Sequence, residues 1–310
     1  MAEVRCPLEV GREREYVATR RDRHEQGRYI TAVETPITTA QTIERLRLFT
    51  LNISGPSLPR AGRLLSFLNE LDPDVIVLTE TRSNLGTAHL LASYRHAGYH
   101  VASPEAVAGG ERGVAIIQRV PAAETPRRRT ADLAHRLLIS RLGLRRPITL
   151  VGAYVPSRDA SAVKIERKQT FLAQMTRLLR RISQGDDVIL MGDFNIVSRS
   201  HVPRYPSFRS WEYESLEHIA ACGFVDAFAE LNPGVQVYSW VGRTGDGYRY
   251  DYGFMTRGLL PQLRECEYIN APRELGLSDH AGVLLTISAE GERLAVRTPE
   301  PETQDTLAIA

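Results

Sequence analysis

The sequence predicts an α/β fold in which β-strands form one mixed sheet or two packed sheets, with helices outside. Short apolar runs such as Val75–Leu78 have the length and β-branched content of buried strands. Amphipathic segments such as Arg60–Leu71 lie between some of these runs, which predicts strand–helix–strand units. Elsewhere a basic turn joins Arg136–Leu142 to Ile148–Ala153, which predicts a hairpin. Mixing these two kinds of unit favours layered sheets and helices.

Four helices are expected because apolar residues recur at helical spacing. In the first, four leucines share one face and Pro73 follows the last turn. The longest covers Ala162–Ile182. The predicted helices are Arg60–Leu71, Leu85–Ala97, Ala162–Ile182 and Trp211–Ala221.

The strands are expected where four to eight apolar or β-branched residues end in a polar or turn-forming residue. The run before Gly192 is the most apolar of them. The predicted strands are Leu46–Asn52, Val75–Leu78, Gly113–Gln118, Arg136–Leu142, Ile148–Ala153, the run into Gly192, Arg249–Met255, Leu263–Tyr268 and Val283–Ile287.

The chain divides into one domain with two polar ends. Residues 1–44 are polar with alternating charges and no sustained period, which predicts a flexible extension. Residues 45–288 show no composition break, repeat or linker, so we expect them to form the functional domain. Residues 289–310 include Pro299 and Pro301 and are expected to be disordered.

Composition indicates an ordinary globular protein. Its 310 residues are 43% hydrophobic and 25% charged, and no apolar run has the length of a membrane span. Cys6, Cys222 and Cys266 form neither a disulfide framework nor a zinc set, so a cytoplasmic protein is expected. We also expect a monomer without a membrane partner. The formal net charge of +2 is only mildly favourable for a polyanionic substrate.

Polar side chains stand where the predicted strands end or begin. Asp193 and Asn195 are two residues apart, so they can leave a strand end on the same side. The other strand-end residues are Asn52, Glu80, Tyr154, Asp251, Asp279 and His280. Carboxylates, amides and an imidazole at one sheet edge suit metal-assisted attack on a phosphate ester. Two simpler interpretations stay open: Gly-Asp-x-Asn is a turn after a strand, and Asp251 forms an ion pair with Arg249.

In this order, the motifs resemble the endonuclease/exonuclease/phosphatase superfamily over about residues 46–288. The resemblance implies a four-layer α/β sandwich of two packed mixed β-sheets flanked by helices. It also implies hydrolysis of a phosphate ester with Mg²⁺, for which Mn²⁺ can substitute. The matching pieces are Asn52, Thr79–Glu80–Thr81, Gly113–Val114–Ala115, Tyr154–Val155–Pro156, Gly192–Asp193–Phe194–Asn195, Ser239–Trp240, Arg249–Tyr250–Asp251 and Ser278–Asp279–His280.

Within the superfamily, the chain looks most like the exonuclease III and apurinic/apyrimidinic (AP) endonuclease branch. Tyr154 stands in a Tyr-x-Pro motif where other branches carry a histidine, and the stretch Trp211–Val241 is also similar to that branch. This branch implies DNA as the substrate, cut at abasic sites or from 3′ ends. The alternative is a phosphatase or phosphodiesterase for a small-molecule, nucleotide or lipid phosphate, favoured by the modest charge, by Tyr250 and by a short loop at residues 196–210.

The resemblance also implies a role for each strand-end residue. Glu80 is the best metal ligand, a hard oxygen donor suited to Mg²⁺, and Asn52 and Asp279 complete the metal group. The catalytic residues are Asp193, Asn195, Tyr154, Asp251 and His280. In the family's chemistry His280 contacts the scissile phosphate and Asp251 orients it. Asp193 serves either the attacking water or the leaving oxygen, while Asn195 and Tyr154 donate hydrogen bonds.

Two further groups are expected to contact the substrate. Trp240, Tyr248 and Tyr250 match the walls of the pocket that accepts an abasic sugar in the AP endonuclease branch, and plain core packing is the alternative for them. Weaker candidates for contact with phosphates are three arginines, Arg112, Arg136 and Arg204. Arg127–Arg128–Arg129 is more typical of a charged loop.

Overall fold

The fold was analysed in a computed structural model that describes residues 41–104, 110–123 and 134–300. The first 40 residues of the expected N-terminal extension and Arg127–Arg129 lie outside the described residues. No helix among the described residues combines the length and the apolar character that crossing a bilayer requires.

Strands and helices alternate irregularly along the chain. The strands are β1 (Thr42–Asn52), β2 (Val75–Thr81), β3 (His100–Ala102), β4 (Gly113–Gln118), β5 (Leu137–Leu142), β6 (Ile148–Tyr154), β7 (Asp187–Asp193), β8 (Phe224–Asp226), β9 (Trp240–Val241), β10 (Gly247–Tyr248), β11 (Asp251–Thr256), β12 (Leu263–Ile269) and β13 (Gly282–Glu292). The helices are α1 (Leu58–Leu71), α2 (Leu85–His96), α3 (Ala162–Ile182), α4 (Ser210–Ala221), α5 (Ala227–Leu231) and α6 (Ala271–Glu274).

The strands form two large mixed sheets and one small hairpin. The first sheet has six strands in the order β12-β13-β1-β2-β4-β3, and the second has five in the order β5-β6-β7-β11-β8. Val77 and Ile116 of the first sheet share one buried cluster with Leu150, Ile189 and Met191 of the second. The sheets therefore pack face to face, and their facing apolar side chains form the central core.

Helices cover both outer faces. On the second sheet, Phe171 and Met175 of α3 are buried with Leu190 of β7. On the first, Leu64 and Leu68 of α1 belong to a buried cluster with strand residues of β1, β2 and β4. These clusters follow from the 3.6-residue period of the helices and the alternation of the strands. The expected four-layer sandwich is confirmed.

The strand register places the polar residues at one edge of both sheets. β1 and β2 run parallel and pair Asn52 with Thr79, while β6 and β7 run parallel and pair Tyr154 with Asp193. Antiparallel β11 begins at the same level, where Asp251 pairs with Asp193. The carboxyl ends of parallel strands meet at one edge. We call this edge, with the residues that follow and precede these strands, the polar edge.

The C-terminal boundary was placed too early in the sequence prediction. β13 continues to Glu292, and the following residues stay ordered against the domain through Glu300. Arg293 donates to the Asp74 carboxylate at 2.6 Å, and Arg297 donates its backbone N–H to the Ala97 carbonyl at 2.8 Å. The expected disorder from residue 289 is therefore wrong for residues 289–300. Residues 301–310 lie outside the described residues.

Candidate active site

Asp193 ends β7 in a position that its preceding glycine makes possible. Gly192 has φ +145°, and a Cβ atom added there would lie 1.9 Å from the Ala153 carbonyl oxygen. Only glycine tolerates that approach without backbone movement. The close fit of β7 against β6 therefore sets where Asp193 leaves the sheet.

Two amides hold the Asp193 carboxylate, which is 1% exposed. The Asn52 Nδ2 group donates to Asp193 Oδ2 at 2.9 Å, and Asn195 donates its backbone N–H to Oδ1 at 2.9 Å. The Asn195 side chain also donates to Oδ2, at 3.3 Å. The side chains of Asp193 and Asn195 therefore face one point. Asn195 reaches it from beyond the strand, in the left-handed conformation with φ 50°.

A buried histidine–aspartate pair faces the same space. His280 Nδ1 lies 2.7 Å from Asp251 Oδ2, and the two side chains are 7% and 0% exposed. The Ser239 hydroxyl accepts the backbone N–H of Asp251 at 3.1 Å, while the Ser278 hydroxyl accepts that of His280 at 3.0 Å. The pair is therefore fixed through both backbones, and its orientation does not depend on one contact.

Arg249 is not the partner of Asp251. Its guanidinium donates two hydrogen bonds of 2.7 Å to the Asp226 carboxylate instead. Arg249 also donates to the Tyr268 hydroxyl, which in turn donates to the Asp251 carbonyl oxygen at 2.6 Å. The simple ion-pair interpretation of Asp251 is therefore wrong, and its carboxylate stays available to His280.

Burial and neighbouring charge shift the pKa values of Asp193 and His280. Desolvation, followed by repulsion from Asp251, raises the pKa of Asp193 to about 7. Burial alone lowers the pKa of His280, but the carboxylate of Asp251 outweighs burial and raises it to about 9. At neutral pH His280 is therefore a buried cation, and Asp193 is poised to accept a proton.

Glu80 stands on a bulge where β2 reaches the polar edge. The register between β2 and β4 shifts between Thr79 and Thr81, and Glu80 has φ 56°. The Tyr154 hydroxyl donates to Glu80 Oε1 at 2.8 Å, and Arg112 donates to Oε2 at 2.6 Å. Both carboxylate oxygens thus have a partner within the chain.

Of the three arginines expected to contact phosphates, the structure brings one into the site. Arg112 contacts Glu80 directly. Arg136 is buried: its guanidinium lies 4.5 Å from the centre of the Tyr154 ring and donates to Glu111 at 3.1 Å. The expectation of a phosphate contact from Arg136 is therefore wrong, because the side chain packs against the Tyr154 ring and pairs with Glu111. Arg204 is exposed in the segment before α4.

The three expected pocket residues lie together, and a fourth ring joins them. Tyr248 and Tyr250 stack with centroids 5.1 Å apart, and Trp240 lies 5.5 Å from Tyr248. Tyr205 stacks on Tyr248 at 4.3 Å. The Trp240 indole also donates to the exposed Asp279 carboxylate at 3.1 Å. Through this contact the aromatic cluster reaches the polar edge.

A buried ion-pair network that the sequence analysis missed supports Asn195. Lys168 of α3 is 1% exposed and donates at 2.8 Å both to the Asn195 carbonyl and to Glu212 of α4. Arg158 donates to the same Glu212 carboxylate. The signal was present: Lys168 lies on the face of α3 that carries Phe171, Leu172 and Met175, where an apolar residue is expected.

The charges at the polar edge fit a divalent cation. Asp251 Oδ1 is buried and has no hydrogen-bond partner among the described residues, and burial together with repulsion from Asp251 raises the pKa of Asp193. Ligand atoms of Asp193, Asp251 and His280 lie within 4.8 Å of one another. A protonated His280 cannot ligate a metal, so that trio is a poor site. Glu80, whose carboxylate is a hard oxygen donor at the same edge, suits a divalent cation better.

Comparison with known proteins identifies the family. Residues 49–280 match the Endonuclease/Exonuclease/phosphatase family, and the chain belongs to it. An exodeoxyribonuclease of Bacillus subtilis (strain 168) is 26% identical over 271 residues, which cover 78% of this chain and 100% of that relative. The DNA repair nuclease APEX1 of Danio rerio is 27% identical over 154 residues, covering 45% of this chain and 48% of the relative, about half its length.

Solved structures share the fold. A 3′-5′ exonuclease from Neisseria meningitidis superimposes with a TM-score of 0.67 at 20% identity, covering 78% of this chain and 100% of that one. An AP endonuclease from Archaeoglobus fulgidus superimposes with a TM-score of 0.65 at 21% identity, covering 78% and 99%. The expected family is confirmed, and these relatives agree with the exonuclease III and AP endonuclease branch.

Proposed function

We propose that the protein is a metal-dependent phosphodiesterase that hydrolyses DNA in the manner of exonuclease III. The observation that carries the proposal is the Asp193 carboxylate, buried between the amides of Asn52 and Asn195 and facing the His280–Asp251 pair. This arrangement provides a base and a fixed cation at the point where a phosphate ester would react.

The protein's own groups divide the work. Asp193 orients the attacking water and takes its proton, for which a pKa of about 7 is well matched near neutral pH. His280, protonated and held by Asp251, balances the charge that grows on the nonbridging phosphate oxygens. Asn195 holds the Asp193 carboxylate through its backbone and side-chain N–H groups, and the Tyr154 hydroxyl holds Glu80. Lys168 donates to the Asn195 carbonyl oxygen and so keeps Asn195 in place.

Glu80 would hold the metal, with Asn52 and Asp279 completing the group, and Mg²⁺ is the ion best suited to these donors. When bound, the ion neutralises phosphate charge and stabilises the leaving oxygen. Mn²⁺, with the same preference for oxygen, is expected to substitute.

The aromatic stack favours 3′-end removal over incision at internal abasic sites. Tyr205 and Tyr250 both stack on Tyr248, and Trp240 lies beside them and contacts Asp279, so these rings form an aromatic wall next to the polar edge. An extruded sugar needs a small open pocket, whereas a frayed terminal nucleotide can stack on the aromatic wall. We infer that the enzyme is monomeric and cytoplasmic. Its relatives that are named as DNA nucleases support DNA as the substrate. Small phosphate esters are the alternative substrates.

The test compares three substrates in Mg²⁺: a duplex with a recessed 3′ end, a duplex with one abasic-site analogue, and a generic phosphomonoester. We expect the recessed duplex to be degraded fastest and the Asp193→Asn variant to lose activity on both duplexes. Asp159→Asn, which changes an exposed aspartate paired with Lys164, is the matched control and should behave as wild type. Hydrolysis of the phosphomonoester alone would contradict DNA as the substrate and support the small-molecule alternative.

A further inference from the structure

Arg112 occupies a position in the site that the proposed chemistry does not use. It directly precedes β4, and its side chain is 35% exposed. Its guanidinium contacts Glu80, the residue expected to bind the metal, at 2.6 Å. Among the described residues, no other cation shares an ion pair with Glu80.

The contact is built into a short chain of hydrogen bonds. Tyr154 donates to the opposite oxygen of Glu80 at 2.8 Å. Arg112 and Tyr154 therefore each hold one oxygen of the Glu80 carboxylate. The Glu80 side chain is only 12% exposed, so its charge is poorly solvated and depends on a nearby cation. In the absence of metal, Arg112 supplies that cation.

A metal ion and Arg112 place opposing demands on Glu80. A divalent ion needs an unshared carboxylate oxygen, and the guanidinium occupies Oε2 while placing a positive charge close by. An arginine has five N–H donors in a planar fork, which also fits two oxygens of a phosphate. A guanidinium displaced from Glu80 is thus suited to bind the substrate.

We propose that Arg112 competes with the metal for Glu80 and, once displaced, binds a phosphate oxygen of the DNA beside the bond that is cut. The inference rests on the proposed function. It makes Arg112 a residue that lowers metal affinity in the free enzyme and raises substrate affinity in the metal-loaded one. Metal and DNA binding are then positively coupled, since each removes an obstacle to the other.

The test measures metal binding directly. Mn²⁺ is titrated into wild-type and Arg112→Gln protein without DNA, and binding is monitored by electron paramagnetic resonance. Removing a cation in contact with a poorly solvated carboxylate should tighten Mn²⁺ binding by about tenfold. With Mn²⁺ saturating, the same variant should show about tenfold weaker binding of a duplex. Arg112→Lys should lie between wild type and Arg112→Gln in both measurements, because it keeps the charge and loses the fork.

Arg167→Gln is the control, because Arg167 pairs with the neighbouring Glu111 at 2.6 Å and not with Glu80. Its Mn²⁺ affinity should match wild type. Weaker or unchanged Mn²⁺ binding in Arg112→Gln would overturn the inference and show that Arg112 merely props Glu80. Wild-type protein that binds no Mn²⁺ would instead count against the metal site of the proposed function, which separates the two failures.

Discussion

Two fully buried carboxylates at opposite ends of the sheets show how this chain treats charge differently for stability and for chemistry. Asp74, just before β2, is 0% exposed and accepts hydrogen bonds from Arg119 at 2.9 Å and Arg293 at 2.6 Å. Asp193, at the end of β7, is 1% exposed but is bound by neutral amides and repelled by Asp251. Two arginines pair with the Asp74 carboxylate, whereas no cation donates a hydrogen bond to Asp193 among the described residues and its raised pKa lets it take up a proton.

The comparison teaches where to look for function in such a fold. Buried charges that are paired with cations fix the structure, as in the Lys168–Glu212 pair. Buried charges with raised pKa values and only neutral hydrogen-bond donors retain free energy that a reaction can use. The predictions below change one kind of carboxylate and then the other.

The largest effect is expected from Asp193→Asn. The amide keeps the shape of the side chain but cannot take a proton, so kcat for DNA hydrolysis should fall by about a thousandfold. The free energy of unfolding should be unchanged or higher, because a repelled buried charge is removed. Steady-state cleavage and urea unfolding followed by circular dichroism check the two halves. A large loss of stability would show that Asp193 is mainly structural.

Asp74→Asn should give the opposite result. Removing this charge leaves Arg119 and Arg293 facing a neutral partner, and the protein should lose about 3 kcal/mol of unfolding free energy. At a temperature where the variant stays folded, kcat should equal that of wild type. Urea denaturation measures the first quantity. Lost activity in fully folded variant would contradict the assignment of this end of the sheets to stability.

The His280–Asp251 pair predicts a pH dependence of stability. The pKa of His280 is raised in the folded protein to about 9, so its contribution is fully present below the unfolded value near 6.5 and is lost as pH rises through about 9. The unfolding free energy should fall by roughly 3 kcal/mol across this window. Urea titrations at several pH values measure it, with metal chelated throughout.

Asp251→Asn provides the comparison for that titration. Without the Asp251 carboxylate, only the weaker attraction of Asp193 and Asp279 opposes the effect of burial on the pKa of His280, and the dependence between pH 6.5 and 9 should flatten. An equally steep decline in the variant would mean that another group causes it.

The smallest effect is expected from Lys168→Met, which tests support for the site from outside the polar edge. The change removes the hydrogen bond to the Asn195 carbonyl and should lower kcat by about tenfold, with KM nearly unchanged. Arg158 stays beside Glu212, so that carboxylate keeps one cation. Unaltered kcat in a folded variant would show that Asn195 is positioned without Lys168.

Much of the fold could be predicted from the sequence, because it rests on local patterns. The observed bounds of β4 and α3 match the predicted ones, since both carry a clear apolar pattern. β3, β8, β9 and β10 have three residues or fewer and were missed, because so short a run carries no period. The extension of β13 beyond Ser288 was missed because the residues there are polar and their strand pairing is with β1, which is distant in sequence.

The site, like the fold, has a part that could be predicted from the sequence and a part that could not. The residues that bear the chemistry stand at strand ends and could be found from motifs. The contacts that govern them join distant segments: Arg112 with Glu80, Lys168 with Asn195, and Arg249 with Asp226. The sequence contains many arginines but does not indicate which of them contacts a carboxylate of the site, because that depends on how the two sheets pack.

The most direct test of the account is single-turnover cleavage of a labelled duplex by metal-stripped protein after Mg²⁺ is restored. Wild type, Asp193→Asn and Asp74→Asn should be compared at equal folded fraction. The account predicts that Mg²⁺ restores cleavage to wild type and to Asp74→Asn, and that Asp193→Asn stays inactive. Full recovery of the Asp193→Asn protein, or Mg²⁺-independent cleavage by wild type, would contradict it.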